Sequence, residues 1–241
     1  MFFRFIGERR KAIDLDDIFS GSCFLLGGAP SLKEVKDLLV NQPIVLAAMN
    51  NTATVVRPDV WVGLDVPANY SPSVLMDPAP MKFTYITRKD DLIEGNPWRS
   101  IPNTYFMSST KQPNAAFFFK DRDFCWGKNV FIIALQLLYR LGFRTVYTVG
   151  CEFNINKEYQ YCYETKLNEA QVDWTSKTYD SALRGVREIL PMAADFGFKL
   201  VSCTKNSKLN TLVEYEDFHE VLGRLRAQVP NPNTICRHPV D

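Results

Sequence analysis

The feature that most constrains the fold is an apolar run followed by two glycines and a helix start. Residues 23–26 are apolar and predict a buried strand, which Gly27 and Gly28 follow directly. Ser31 and Glu34 have the spacing of a capping box, so we expect Ser31 to cap the helix that begins here. Free amide groups at such a turn can bind an anionic group. The alternative is an ordinary strand-to-helix turn, because the motif is neither G-x-G-x-x-G nor a Walker loop.

Composition favours one α/β domain over residues 1–241, since the 241 residues are 46% apolar and 13% aromatic. A net charge of +1 argues against a strongly electrostatic nucleic-acid binder. The six cysteines form no C-x-x-C pair, so we expect reduced thiols in a cytoplasmic protein. The first apolar run is too short for a membrane span, and stable membrane insertion is not expected. Nothing in the sequence indicates an oligomeric state.

Short apolar runs alternate with helical segments, which predicts a Rossmann-like, doubly wound, mostly parallel sheet. Polar residues follow these runs, and in open parallel sheets ligands bind at the carboxyl ends of the strands. A second glycine turn, at residues 127–129, precedes an apolar helix. We therefore predict a nucleotide-binding edge with these members: Gly27, Gly28, Ser31, Asn50, Asn51, Gly127, Lys128, Asn129, Glu152 and Ser207.

Two stretches are less regular. Residues 66–125 are interrupted by prolines and predict an irregular insertion or lid, with short strands at 82–87 and 104–108. Residues 154–175 are polar and rich in tyrosine, which is typical of a substrate loop. An amphipathic helix is then expected over 176–196, with a kink or break at Pro191.

The predicted edge suits a nucleotide. Two glycine turns before helix N-termini can hold a diphosphate, and Lys128 can add a charge-assisted bond to phosphate. Asn50 and Glu152 can bond to ribose or base groups. For each residue taken singly, the alternative is a turn former or a helix cap.

Several segments in this order resemble a known family: residues 27–32 (GGAPSL), Asn50, 127–130 (GKNV), 134–137 (ALQL), 141–143 (LGF), 146–153 (VYTVGCEF) and 198–209 (FKLVSCTKNSKL). Over residues 22–212 the chain is similar to the bacterial lipooligosaccharide sialyltransferases of the Campylobacter type. It also resembles the wider group that includes the archaeal 6-hydroxymethylpterin diphosphokinases.

This resemblance implies a GT-A-like sheet that binds a nucleotide-activated sugar and needs no metal. It places Gly28 and Ser31 at the phosphate turn, Asn50 near the nucleotide, Asn129 near the phosphates and Glu152 at the ribose. Two positions depart from the family. Trp174 and Thr175 stand where the sialyltransferases have a histidine base, and Asn154 stands where they have a tyrosine.

The sequence therefore predicts a glycosyltransferase with a nucleotide-sugar donor and an unidentified acceptor. The acceptor is either a glycan or a modified DNA base, although the net charge of +1 does not indicate a nucleic-acid acceptor. Asp65 is the preferred hypothesis for the general base and Asp173 the next. Tyr159 and Tyr161 are expected at the leaving phosphate. One alternative is diphosphokinase-like transfer to a small heterocycle, with magnesium and Asp65 as its ligand. The other is a nucleotide-binding module without catalysis.

Overall fold

The computed structural model describes residues 1–40, 42–109, 118–120, 123–124, 129–155, 158, 160–163 and 166–228. Its strands are β1 (Phe2–Ile6), β2 (Arg9–Ile13), β3 (Ser22–Leu26), β4 (Leu46–Met49), β5 (Val60–Val62), β6 (Met81–Tyr85), β7 (Leu92–Ile93), β8 (Asn96–Pro97), β9 (Thr104–Met107), β10 (Thr145–Val149) and β11 (Lys199–Ser202). Its helices are α1 (Leu32–Leu39), α2 (Pro72–Leu75), α3 (Val130–Arg140), α4 (Glu169–Ala193) and α5 (Phe218–Gln228).

Nine strands form one sheet in the order β11-β10-β3-β4-β5-β6-β9-β1-β2. The seven strands from β11 to β9 are parallel, whereas β1 pairs antiparallel with both β9 and β2. The short strands β7 and β8 form a separate hairpin. The prediction of an α/β fold around a mostly parallel sheet is confirmed.

Helices cover both faces of this sheet. Alternate residues of β3 point to opposite sides, so Cys23 and Leu25 pack with α3 and α4, while Phe24 and Leu26 pack with α1 and α5. Strands buried on both faces are uniformly apolar, which is why β3 and β4 appear in the sequence as continuous apolar runs.

The described part of the predicted lid contributes to the main sheet. Its strands β6 and β9 coincide closely with the two strands predicted there, and they lie side by side in parallel register. The N-terminal hairpin of β1 and β2 extends the sheet beyond β9, and sequence reasoning did not predict it. None of the helices among the described residues is long and apolar enough to cross a bilayer.

The predicted start of α4 was wrong, and so was the prediction of a break at Pro191. The helix begins at Glu169 instead of residue 176, because Asn168 and Gln171 form a capping box that starts it earlier. The end of the predicted substrate loop is therefore helical. The helix also continues through Pro191 to Ala193. Proline has no amide hydrogen, so the carbonyl of Arg187 loses its hydrogen bond within the helix. Arg187 and Pro191 are both exposed, so water can bond to that carbonyl instead.

Candidate functional site

A cavity of about 100 Å³ lies at the carboxyl ends of β3, β4 and β10. The chain continues from β3 to its neighbour β4 on one side of β3, while β10, which comes much later in the chain, pairs with the other side of β3. The cavity therefore lies at the point where the strand order reverses. Such switch points are where open α/β sheets bind ligands. The start of α3, the middle of α4 and two tyrosines of the preceding loop complete the lining.

The floor of the cavity depends on a close approach of two glycines. A Cβ atom on Gly27 would lie 2.3 Å from the carbonyl oxygen of Gly150 and 2.5 Å from Sγ of Cys151. Gly150 has a φ of +67°, which favours glycine, and its carbonyl accepts a hydrogen bond of 3.0 Å from the amide of Ala29. These contacts join the ends of β3 and β10. Gly27 therefore has a packing role in the turn.

The predicted capping box at the start of α1 was wrong. Ser31 has helical angles, φ −60° and ψ −20°, and its side chain makes no capping hydrogen bond. A cap residue normally has extended angles, from which its side chain can reach the amides of the first turn. Instead, the amide of Ser31 donates to Oε1 of Glu152 at 3.1 Å. A carboxylate at a helix N-terminus is favoured by the helix dipole, so a residue distant in sequence replaces the local cap.

The hydrogen bond between Ser31 and Glu152 determines which groups of a ligand can bind at the start of α1. Glu152 is only 2% exposed and lines the cavity, so its carboxylate is held within the protein. An ionised carboxylate accepts hydrogen bonds and repels phosphate oxygens. At this end of α1 the site therefore suits the hydroxyl groups of a ligand, and the amide of Ser31 is already bonded.

Asn50 supplies a second acceptor. Its carbonyl accepts a hydrogen bond of 2.8 Å from Nε1 of Trp61, which holds the backbone in a left-handed conformation with φ +51°. Asparagine tolerates this conformation better than most residues. Its Oδ1 is buried and has no hydrogen-bond partner among the described residues, so a ligand donor in the cavity would satisfy it. Phe153, which also lines the cavity, has a φ of +53°, an uncommon value for a bulky residue.

Two tyrosines cover the glycine turn. The amide of Cys162 donates to the carbonyl of Gly28 at 2.7 Å, which fixes the flanking Tyr161 and Tyr163 over the turn. The two rings are stacked with centroids 4.9 Å apart, and a Cβ atom on Gly28 would lie 2.8 Å from the ring of Tyr163. Burial raises the pKa of Tyr163. Burial, and then the hydrogen-bonded neighbour Tyr161, raise the pKa of Tyr179. Both of these hydroxyls therefore stay protonated and can donate hydrogen bonds at neutral pH.

Asn129 joins the two helices that close the cavity. Its side chain caps α3 by accepting from the amide of Phe131 at 3.0 Å, and it donates to the carbonyl of Thr178 in α4 at 3.0 Å. Ser207 has a supporting role outside the lining, because its hydroxyl donates to the carbonyl of Cys151 and accepts from the amide of Leu209.

Other predicted site residues lie away from the cavity lining. Asn51 bonds to the carbonyl of Asn69 and the amide of Ser71, so its amide group organises a turn. Asp65 is exposed, and its backbone amide donates to the hydroxyl of Tyr70 at 2.7 Å. Asp173 is exposed on α4. Gly127, Lys128 and Tyr159 lie outside the described residues.

Sequence reasoning missed several lining residues: Thr52, Gly150, Phe153, Tyr163, Thr178 and Tyr179. Gly150 follows an apolar run as Gly27 does, and that shared pattern was a usable signal. Thr178 and Tyr179 gave none, because only the packing of α4 brings them to the cavity. In the described part of the chain, no group of three or more His, Cys, Asp or Glu side chains could hold a metal ion. Its four cysteines are free and buried.

Comparisons with protein-family models, with curated proteins and with solved structures found no match to this chain. The fold and the site define an α/β protein with a cavity at the switch point of a mostly parallel sheet. Its chemistry has to be argued from the site itself.

Proposed function

We propose that the chain is a glycosyltransferase, on a Rossmann-like, GT-A-like sheet, that binds a nucleotide-activated sugar at this cavity, with the ribose inside it and the rest of the donor extending from its opening. The observation that carries the proposal is the buried carboxylate of Glu152, which lies against the start of α1 at the switch point. A fixed carboxylate at this place in a parallel sheet suits the hydroxyls of a ribose.

The remaining groups suit the other parts of such a donor. Oδ1 of Asn50 can accept a hydrogen bond from the base or from a sugar hydroxyl. The hydroxyl groups of Tyr161 and Tyr179 can donate to the leaving phosphate, because both residues line the cavity beside the Gly28 turn. Such donors stabilise charge that develops as the bond to the sugar breaks.

In the transfer step, an acceptor hydroxyl attacks the anomeric carbon of the donor. The bond from that carbon to the phosphate oxygen breaks, and the nucleotide leaves with the electron pair. The acceptor proton passes to a base. Asp65 and Asp173 remain hypotheses for this base. Neither lines the cavity, so substitution of each by Asn has to decide between them.

Calorimetric titration with CMP, UDP and GDP tests the nucleotide site. We expect at least one of them to bind, and Glu152→Gln to weaken it at least tenfold. Glu220→Gln is the matched control, because it removes the same charge from an exposed position on α5. If none of the nucleotides binds, or if Glu152→Gln binds as tightly as the wild type, the proposal is wrong.

Hydrolysis of the corresponding nucleotide sugars tests catalysis. We expect slow release of the free sugar, and we expect it to continue in EDTA because tyrosine hydroxyls, together with Lys128, would stabilise the leaving phosphate. Activity that EDTA abolishes and magnesium restores would instead favour the diphosphokinase alternative. Nucleotide binding without any hydrolysis would favour the binding module.

A further inference from the structure

Strand β2 is the open end of the nine-stranded sheet. It pairs with β1 on one side, and in the described part of the chain no strand pairs with its other side. Residues 9–12 are all exposed. In an edge strand, a row of amide and carbonyl groups points away from the sheet and can pair with a further strand. The backbone of β2 therefore presents hydrogen-bonding groups at the protein surface.

The opposite end of the sheet differs, because a later segment of the chain covers it. Beside β11, the amide of Ser202 donates to the carbonyl of Glu214 at 2.9 Å, and the amide of Glu216 donates to the carbonyl of Ser202 at 3.0 Å. Among the residues that the structure describes, no segment has this role at β2. Strand β2 is thus the edge at which another chain can add to the sheet.

Three consecutive cations, Arg9, Arg10 and Lys11, form most of β2. None of them makes an ion pair with a residue that the structure describes. The acid that precedes them, Glu8, is paired with Arg99 at 2.8 Å. An anionic partner would therefore meet these three charges without having to break an ion pair.

A fourth cation stands on β1. Arg4 is the register partner of Lys11, so two positive charges lie directly opposite each other on neighbouring strands. Like charges in this position destabilise a pair of strands. Arg4 is exposed and has no ion pair within the described residues either. A carboxylate between these two side chains would relieve the repulsion, which favours an anionic partner at this edge.

The cations of β2 lie on both faces of the sheet. Successive side chains of a strand point to opposite faces, so Arg9 and Lys11 share one face and Arg10 lies on the other. There the guanidinium of Arg10 lies over the ring of Phe3, 4.8 Å from its centroid. A partner that runs along the open edge, between the two faces, reaches all three charges.

We propose that β2 is a docking strand for an extended, acidic segment of a partner protein, which adds to the sheet as a further strand. Backbone hydrogen bonds would hold the segment. Its consecutive acidic side chains, which also alternate between the two faces, would pair with the cations. Four strands separate β2 from β4, so this edge lies about 24 Å from the strand that ends at the cavity. The docking strand is therefore independent of the proposed transferase function.

Other occupants fit this edge less well. A second copy of the chain would place β2 against another β2, and the like charges would repel each other. A bilayer is flat, so it would meet Arg9 and Lys11 but not Arg10 on the other face. The backbone of DNA has no hydrogen-bond donor for the outward carbonyl groups of β2. An acidic peptide strand satisfies the charges and the backbone groups together.

The test uses three synthetic octapeptides and follows their binding by calorimetry at an ionic strength of about 0.01 M, where charges are weakly screened. The peptide TEVEEVET carries acidic side chains for both faces, and TQVQQVQT replaces each glutamate by glutamine. The peptide TEPEEPET keeps the charge but cannot pair as a strand, because proline lacks the amide hydrogen. We expect TEVEEVET to bind at least tenfold more tightly than each of the other two.

The double variant Arg9→Glu with Lys11→Glu should lose at least tenfold in affinity for TEVEEVET. Lys177→Glu with Arg187→Glu is the matched control, because it reverses one lysine and one arginine that are exposed on α4. The control should bind the peptide as the wild type does.

Equal binding of TEVEEVET and TQVQQVQT would overturn the role of the charges, and with it the docking strand. Binding of TEPEEPET as tight as that of TEVEEVET would show attraction without strand pairing, which also contradicts the proposal. So would an unchanged affinity in the β2 double variant. Binding of a DNA duplex, or of vesicles that contain phosphatidylserine, without any binding of TEVEEVET would assign the edge to a different partner and overturn the proposal.

Discussion

Residues at the starts of α1 and α4, Lys33 and Asn168, line one open groove at the protein surface, yet the first turns of the two helices are stabilised in different ways. At α4 the cap is local: the side chain of Asn168 accepts from the amide of Gln171 at 2.9 Å, and the side chain of Gln171 accepts from the amide of Asn168 at 2.9 Å. At α1 the cap comes from Glu152, at the end of another strand.

The difference shows how a helix start becomes part of a site. The α4 cap involves only neighbours in sequence and stabilises its own helix. The α1 cap connects a helix to the end of β10, and it leaves a buried carboxylate at the wall of a cavity. A charge fixed in this way loses little freedom when a ligand binds, which favours affinity.

The largest effect is expected at the turn before α1. Gly27→Ala places a methyl group 2.3 Å from the carbonyl oxygen of Gly150, so β3 and β10 must move apart. We expect a loss of about 3 kcal/mol in the free energy of unfolding, measured by urea denaturation. Gly223→Ala on α5 is the control, because its methyl group would meet nothing within 4 Å. It should stabilise the protein by up to about 1 kcal/mol. Equal effects of the two substitutions would contradict the close approach.

A smaller effect is expected at the local cap. Asn168→Ala removes the hydrogen bond that the asparagine side chain accepts from the amide of Gln171, and it keeps the bond that the backbone amide of residue 168 donates to the side chain of Gln171. The free energy of unfolding should fall by about 1 kcal/mol, measured by thermal or urea denaturation. A stability equal to that of the wild type would show that the capping box does not stabilise α4.

The smallest effect is expected at the serine that the sequence designated as a cap. Ser31→Ala keeps the amide that donates to Glu152 and removes a side chain that makes no capping bond. Its free energy of unfolding should stay within about 0.5 kcal/mol of the wild type. A loss as large as that of Asn168→Ala would mean that Ser31 does cap α1, and the comparison between the two helices would fail.

These two helices also show what sequence reasoning can predict. Buried parallel strands such as β3 and β10 are recognisable because a strand covered on both faces must be apolar. The start of α4 was recognisable from the spacing of Asn168 and Gln171, but the polar composition around them favoured a loop. The start of α1 at Leu32 was recognisable but its cap was not, because Ser31 and Glu34 have the spacing of a capping box while the residue that bonds there is Glu152.

The residues of the site, like the two helix starts, were predictable from the sequence only in part. Gly27, Gly28, Asn50, Asn129, Glu152 and Tyr161 all line the cavity, because strand ends and helix starts meet at one edge of a parallel sheet. Asp65 follows β5, and the position of that strand relative to the switch point depends on strand order, which a sequence does not show. Asn51 and Ser207 are polar residues at the predicted edge whose side chains bond to backbone groups near the site.

The central claim is that the carboxylate of Glu152 binds the ribose of a nucleotide. The most direct measurement compares, by calorimetry, a ribonucleotide that the protein binds with its 2′,3′-dideoxy form, in the wild type and in Glu152→Gln. The account predicts that the wild type binds the ribonucleotide at least tenfold more tightly, and that this preference is largely lost in the variant. Equal affinity of the wild type for the two nucleotides, or a preference that survives in Glu152→Gln, would contradict it.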